Sequence, residues 1–232
     1  MGIHSDFTSP GATGFSDIPD LGVSKQYPNW RQNWTDVIQL PPRMFYNALA
    51  TEMAPNRPSI YVEIKKDLPE GELRIDLYDP ERQKLAFLEA EFHGQPNHSV
   101  FRLDEIRIED PDNRRGGIGR GMVNAVMKFC DILGIEKIEL RGGREDGPSF
   151  WTHLGFKIES TGVLGERFSR AVWENFQALP ESTQDAVREQ LETALADVTD
   201  TTNQDVLNID PKDVGRRLLA NTSPRMFFEL DL

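Results

Sequence analysis

The stretch Arg114-Arg115-Gly116-Gly117-Ile118-Gly119-Arg120-Gly121 constrains this chain more than any other. So many glycines inside a strand or a helix would carry a large entropic cost, so the run reads as a turn. Its flanks decide which kind. Val100–Asp110 before it is a strand-like run rich in apolar residues, and after it Met122, Val123, Val126, Met127, Cys130 and Leu133 recur at helical spacing until Gly134 stops the helix. Lys137–Leu140 is a further short strand. Strand, glycine turn, helix and strand in that order predict a β-α-β unit with its crossover. At such a turn glycines remove side chains that would block a close ligand. Consecutive backbone N–H groups and the positive helix end can then converge on a pyrophosphate, with Arg114, Arg115 and Arg120 adding charge.

The rest of the chain is read around this unit. Ile60–Lys65, Glu72–Asp79 and Lys84–His93 are three earlier strands, and the turn chemistry of Pro69-Glu70-Gly71 and Asp79-Pro80-Glu81 predicts an antiparallel meander. Ser149–Leu154 is a short helix and Phe156–Ile158 a strand. Beyond Ser160 the chain turns helical and acidic, with 12 acids against 6 bases from Arg170 onward. Two helices stand out there, one striped by Val187, Leu191, Leu195 and Val198 and one starting at Asp210-Pro211. From Arg225 to Leu232, Met226, Phe228, Leu230 and Leu232 alternate with Glu229 and Asp231, a half-buried strand expected to pair antiparallel with Phe156–Ser160. The expected organisation is an arm and helix over residues 1–58, a core over 59–162, a helical insertion over 163–224 and a returning strand over 225–232. The expected fold class is mixed α/β with a mostly antiparallel sheet.

Charge and composition exclude several function classes. A formal net charge of −12 opposes nucleic acid and anionic membranes, both of which demand a positive field. A cationic partner suits it better. Cys130 is the sole cysteine, so neither an intrachain disulfide nor a thiolate zinc site can form. His4, His93, His98 and His153 are dispersed, and no metal is expected. The first residues lack a signal-peptide pattern and no apolar run approaches membrane-spanning length, so a cytoplasmic location is expected.

The dinucleotide fingerprint G-x-G-x-x-G fails at Met122 and at Asn124, and no lysine follows as in a Walker loop. Arg114, Gly117 and Gly119 instead spell R-x-x-G-x-G, which resembles the acetyl-CoA signature of the GNAT superfamily of N-acetyltransferases. Phe150-Trp151-Thr152-His153-Leu154-Gly155-Phe156 resembles that superfamily's F-Y-x-x-L-G-F segment, and the two together span roughly Val100 to Ser160. The resemblance implies acetyl-CoA as co-substrate, its pyrophosphate on Arg114–Gly121 and its pantetheine arm along the strand at Ile106 and Ile108. It also implies direct attack by an acceptor amine, whether a small cationic molecule or a protein lysine or N-terminus. A carboxylate must take the amine's proton, and the family's register favours Glu105, then Asp104.

Two positions depart from the family pattern. Trp151 stands where many members carry a tyrosine that protonates the leaving thiolate, and indole has no acidic proton to give. Arg144 stands where an asparagine is frequent, and could meet a phosphate. Two other readings follow: a CoA-binding module without transferase activity, and an interaction protein or bacterial effector that engages a partner through the helical C-terminal part. That part could equally form a homodimer face.

Overall fold

The computed structural model describes Glu52, residues 61–64, 72–79, 81, 83–93, 100–109, 117–143 and 145–230. The expected arm and helix over residues 1–58 lie outside them, Glu52 excepted. Seven strands are described: β1 (Tyr61–Ile64), β2 (Glu72–Tyr78), β3 (Lys84–His93), β4 (Val100–Ile108), β5 (Lys137–Arg141), β6 (Lys157–Ile158) and β7 (Arg225–Glu229). The helices are α1 (Ile118–Ile132), α2 (Gly147–His153), α3 (Val163–Gln177), α4 (Glu181–Leu195), α5 (Thr202–Leu207) and α6 (Lys212–Leu219). The sheet order is β1-β2-β3-β4-β5-β7-β6. β4 and β5 pair in parallel, as the crossover through α1 requires, while β1–β2, β5–β7 and β6–β7 are antiparallel. The fold class is the expected one.

The chain divides into two compact units, one holding the described residues up to Leu88 together with Ile106–Ala125, the other Glu89–Glu105 together with Val126–Leu232. In the first unit β2 and β3 are covered on both faces, since Ile75, Asp76 and Leu77 are buried in succession and so are Leu85–Leu88. The fully buried Asp76 carboxylate is balanced by Lys84 Nζ at 3.1 Å and Arg74 Nε at 3.3 Å, and Tyr78 Oη donates to it at 3.4 Å. Lys84 also reaches Glu109 Oε1 at 3.5 Å, and the Glu109 N–H donates to the Leu85 carbonyl at 2.9 Å. The end of β4, just ahead of the glycine turn, is therefore tied at two points to the start of β3.

In the second unit β5 lies between a parallel and an antiparallel neighbour. Val100–Leu103 of β4 face Lys137–Leu140, and Lys137–Arg141 face Glu229 back to Arg225 of β7. β7 pairs on its other edge with β6, through Lys157–Phe227 and Ile158–Met226, so the terminal strand returns to the expected partner. Between β6 and β7 run four helices where the sequence pattern picked out two. α3 buries Phe168, Val172 and Phe176, and α4 buries Val187 and Leu191. Asn175 on α3 donates at 2.8 and 2.7 Å to the carbonyls of Leu218 and Ala220, satisfying acceptors that the end of α6 leaves open. The α1 stripe is largely as expected: Met122, Val123, Val126 and Cys130 are buried, joined by Ala125 and Phe129.

Candidate functional site

The first unit holds the start of α1. Gly117 takes φ +77°, a backbone state that favours glycine, and its carbonyl accepts from the Gly121 N–H at 2.9 Å to close the first turn. The N–H groups of Ile118, Gly119 and Arg120 precede that bond and have no carbonyl within the helix to meet. Ile118 is buried and anchors the turn, while Arg120 is exposed. The first turn contains no acidic residue. A cation there opposes the helix dipole by several tenths of a kcal/mol, and an anion docked at the same end reverses that sign. Gly119 lies within the regular helix and needs no unusual backbone angle. Arg114, Arg115, Gly116 and Arg144 lie outside the described residues.

Ile106 and Ile108, the last turns of the pleat before the loop, are half-buried members of the same unit. β4 is paired with β5 only as far as Leu103, and it continues through residues 104–108 beyond that point.

Asp104 and Glu105 belong to the second unit. Burial along β4 alternates from Phe101 to Asp104, with Phe101 and Leu103 inside and Arg102 and Asp104 exposed. Glu105 continues the row of Phe101 and Leu103 and is half-buried. Of the two carboxylates it is thus the less exposed. Arg102 on the opposite row pairs with Glu91 Oε2 at 3.5 Å. Trp151 on α2 is 6% exposed, its ring edge-on to Phe150 at 4.9 Å and to Phe156 at 5.2 Å. It is a packed core residue in this cluster. Burial pushes the Cys130 thiol far above the ordinary range, which makes it a core residue and no nucleophile.

The turn after β5 adds a feature that the sequence reading did not single out. Glu145, Asn221 and Ser223 have positive φ of 52°, 58° and 44°. Asn221 and Glu145 are joined reciprocally: the Glu145 N–H donates to Asn221 Oδ1 at 2.7 Å and the Asn221 N–H to the Glu145 carbonyl at 3.2 Å. Gly142 donates to the Pro224 carbonyl at 2.7 Å, so the carboxyl end of β5 is clamped to the start of β7. The signal was Asn-Thr-Ser-Pro before β7, since asparagine tolerates the left-handed region better than most residues.

Among the described residues no group of three or more His, Cys, Asp or Glu could hold a metal ion, and no helix is long and apolar enough to cross a membrane. Neither a family model nor a curated protein sequence matches the chain. Among solved structures, nourseothricin acetyltransferase is similar over 42% of this chain and 56% of its own, at 16% identity and a TM-score of 0.34. PaiA N-acetyltransferase from Thermoplasma acidophilum, solved in complex with coenzyme A, is similar over 40% of this chain and 55% of its own, at 21% identity and a TM-score of 0.34. The spermidine/spermine N-acetyltransferase SpeG from Vibrio cholerae, solved with manganese ions, gives 40%, 54%, 22% and 0.32 for the same quantities. This chain spans little more than half the length of each of these proteins.

Proposed function

We propose that this chain is an acyl-CoA-dependent N-acetyltransferase that transfers acetyl from acetyl-CoA to a primary amine. The observation that carries the reading is the start of α1: a positive-φ glycine, open N–H groups and an arginine in the first turn, directly after a strand that outruns its parallel neighbour. In this reading Arg114, Arg115 and Gly116 join Gly117–Gly121 around the pyrophosphate, with Arg144 adding a further charge. The pantetheine arm lies along Ile106 and Ile108. The neutral amine nitrogen attacks the thioester carbonyl carbon, the C–S bond breaks as the C–N bond forms, and the amine's surplus proton goes to Glu105 or Asp104. A thiolate with an ordinary pKa near 8.5 leaves without an acid's help, so Trp151 in the tyrosine's place does not stop turnover.

The acceptor class follows from charge. With a net charge of −12 and carboxylates along β4, a polyamine-like molecule or a protein lysine or N-terminus is favoured over an anionic acceptor, and activity should fall as salt rises. Calorimetric titration with CoA, followed by a thiol-release assay against polyamine, lysine-peptide and acidic acceptors, tests the proposal. CoA binding with release on the cationic acceptors supports it. CoA binding with no release on any acceptor favours the second reading, a CoA-binding module, for which Trp151 is the specific observation. No CoA binding removes both.

A further inference from the structure

Helix α3 buries Gly165, Phe168, Val172 and Phe176 and turns another side to solvent. Along that side runs an open groove of about 470 Å³, walled in part by Ser169 and Trp173 of the helix and by Val198 beyond α4. Trp173 is half-buried, its ring edge-on to Phe176 at 5.1 Å. Val163, at the head of the helix, is 60% exposed, more than any other large apolar residue described. Glu166 and Arg170 stand on the rim of the groove, one turn apart and both exposed. A glutamate four residues ahead of an arginine commonly pairs with it. Among the described residues, however, no ion pair engages either side chain.

These four positions share one centre. Glu166 and Arg170 lie two residues before and after Phe168, and Val163 and Trp173 lie five before and after it. Phe168 itself points into the core and marks only the level. When two identical helices pack antiparallel about a two-fold axis, each position before the centre stands level with the position equally far after it in the other copy. An axis at the level of Phe168 therefore sets Glu166 opposite the partner's Arg170 and Val163 level with the partner's Trp173, and it makes each pairing twice. Arg167 comes level with the partner's Ser169 and Glu174 with the partner's Gly162, so no like charges are set against each other.

We infer that this side of α3 is a homodimer interface, in which a second copy of the chain packs its own α3 antiparallel across a two-fold axis. The opposite charges fix the register, and covering Val163 and Trp173 supplies the attraction. The inference stands apart from the transferase reading. One pair of helices covers less than the roughly 1,600 Å² of a standard interface, so association is expected at micromolar rather than nanomolar concentration.

Sedimentation equilibrium of the full chain across the micromolar range is the test. The unmodified chain should pass from monomer to dimer. Glu166→Arg and Arg170→Glu each set like charges opposite one another at both contacts, and each should raise the dimer Kd by roughly tenfold or more. An equimolar mixture of these two variants should return to within a few-fold of the unmodified affinity, because one chain then offers two arginines where the other offers two glutamates. Both side chains are exposed, so neither change removes a packed group, and recovery in the mixture shows that both variants are folded. Val163→Asn should weaken association several-fold. A chain that stays monomeric throughout the range overturns the inference. So does a dimer indifferent to the charge reversals or to Val163→Asn, and so does a mixture that associates no more tightly than its components.

Discussion

Replacing Gly117 or Gly119 by alanine should move stability in opposite directions and CoA affinity in the same one. Gly117 sits at φ +77°, where an L side chain costs about 1–2 kcal/mol. Gly119 is already helical, and alanine in a helix is favoured over glycine by up to about 1 kcal/mol. The two variants should therefore differ by roughly 1–3 kcal/mol without ligand, which at about 2–4 °C per kcal/mol separates their Tm values by about 2–12 °C. Binding responds differently. Side chains on a helix lean toward its N-terminus, so a methyl group at 119 enters the space in front of the open N–H groups. At 117 the relaxing backbone turns the Ile118 N–H away. Each loses on the order of 1.5–3 kcal/mol of charge-assisted hydrogen bonding, or roughly ten- to hundredfold in Kd. Thermal denaturation read beside calorimetric titration with CoA gives both quantities from one preparation. Two variants of equal stability, or Gly119→Ala with unaltered affinity, would show that the start of α1 is neither shaped nor used as argued.

Three further outcomes are expected. Glu105→Gln should lower kcat by about 10²–10⁴ with little change in the acceptor's KM, and more than Asp104→Asn does; the reverse order in steady-state kinetics would move the base to Asp104. Deleting residues 224–232 removes the strand between β5 and β6 and should leave the chain insoluble or without a cooperative melt, so a truncated chain with the full-length Tm contradicts the pairing described. Since burial raises the Cys130 thiol in the folded chain, the unfolded chain alone ionises as pH passes about 8.5, and stability should drop by about 1.4 kcal/mol per pH unit above that. Denaturant titrations of the unmodified chain and of Cys130→Ala between pH 7 and about 10 check this, with the steep fall expected only in the former.

The sequence was most informative where one local rule decided the outcome. Period-two patterning placed β1 to β5 within a residue or two, because each of those strands has a face that must be covered, whereas α1, read from Met122 onward, begins at Ile118 because glycines in its first turn read as loop. The return of β7 to β6 was legible for the same reason: alternating Met226 and Phe228 needed a sheet and Phe156–Ile158 lacked a neighbour. Helix α3 lies in the stretch expected to be helical but was not singled out, although Phe168, Val172 and Phe176 repeat every four residues. In the fold Gly165 is a close-packing position, where a Cβ would strike the Ser160 carbonyl oxygen. Within the candidate site, Gly117 could be found from its motif. The buried Asn203 of α5, which donates to Thr152 and to the Phe156 carbonyl, could not be found from any pattern, since those partners lie 51 and 47 residues away.

The position of β7 also sets the order of events during synthesis. β5 is made early, yet one of its two edges stays open until the ribosome has released the four helices and then Arg225–Glu229. A nascent chain holds an unpaired strand edge through that interval, the kind of surface on which strands of neighbouring chains add. The insertion sits in the way of closure in sequence, but α3 to α6 consist of short-range contacts that form quickly, so they can shorten the path from β6 to β7 before the last strand emerges. Completion of the sheet is thereby delayed until β7 has been made, and mutations that slow the helices should show first as aggregation in the cell rather than as a lowered melting temperature of the purified protein.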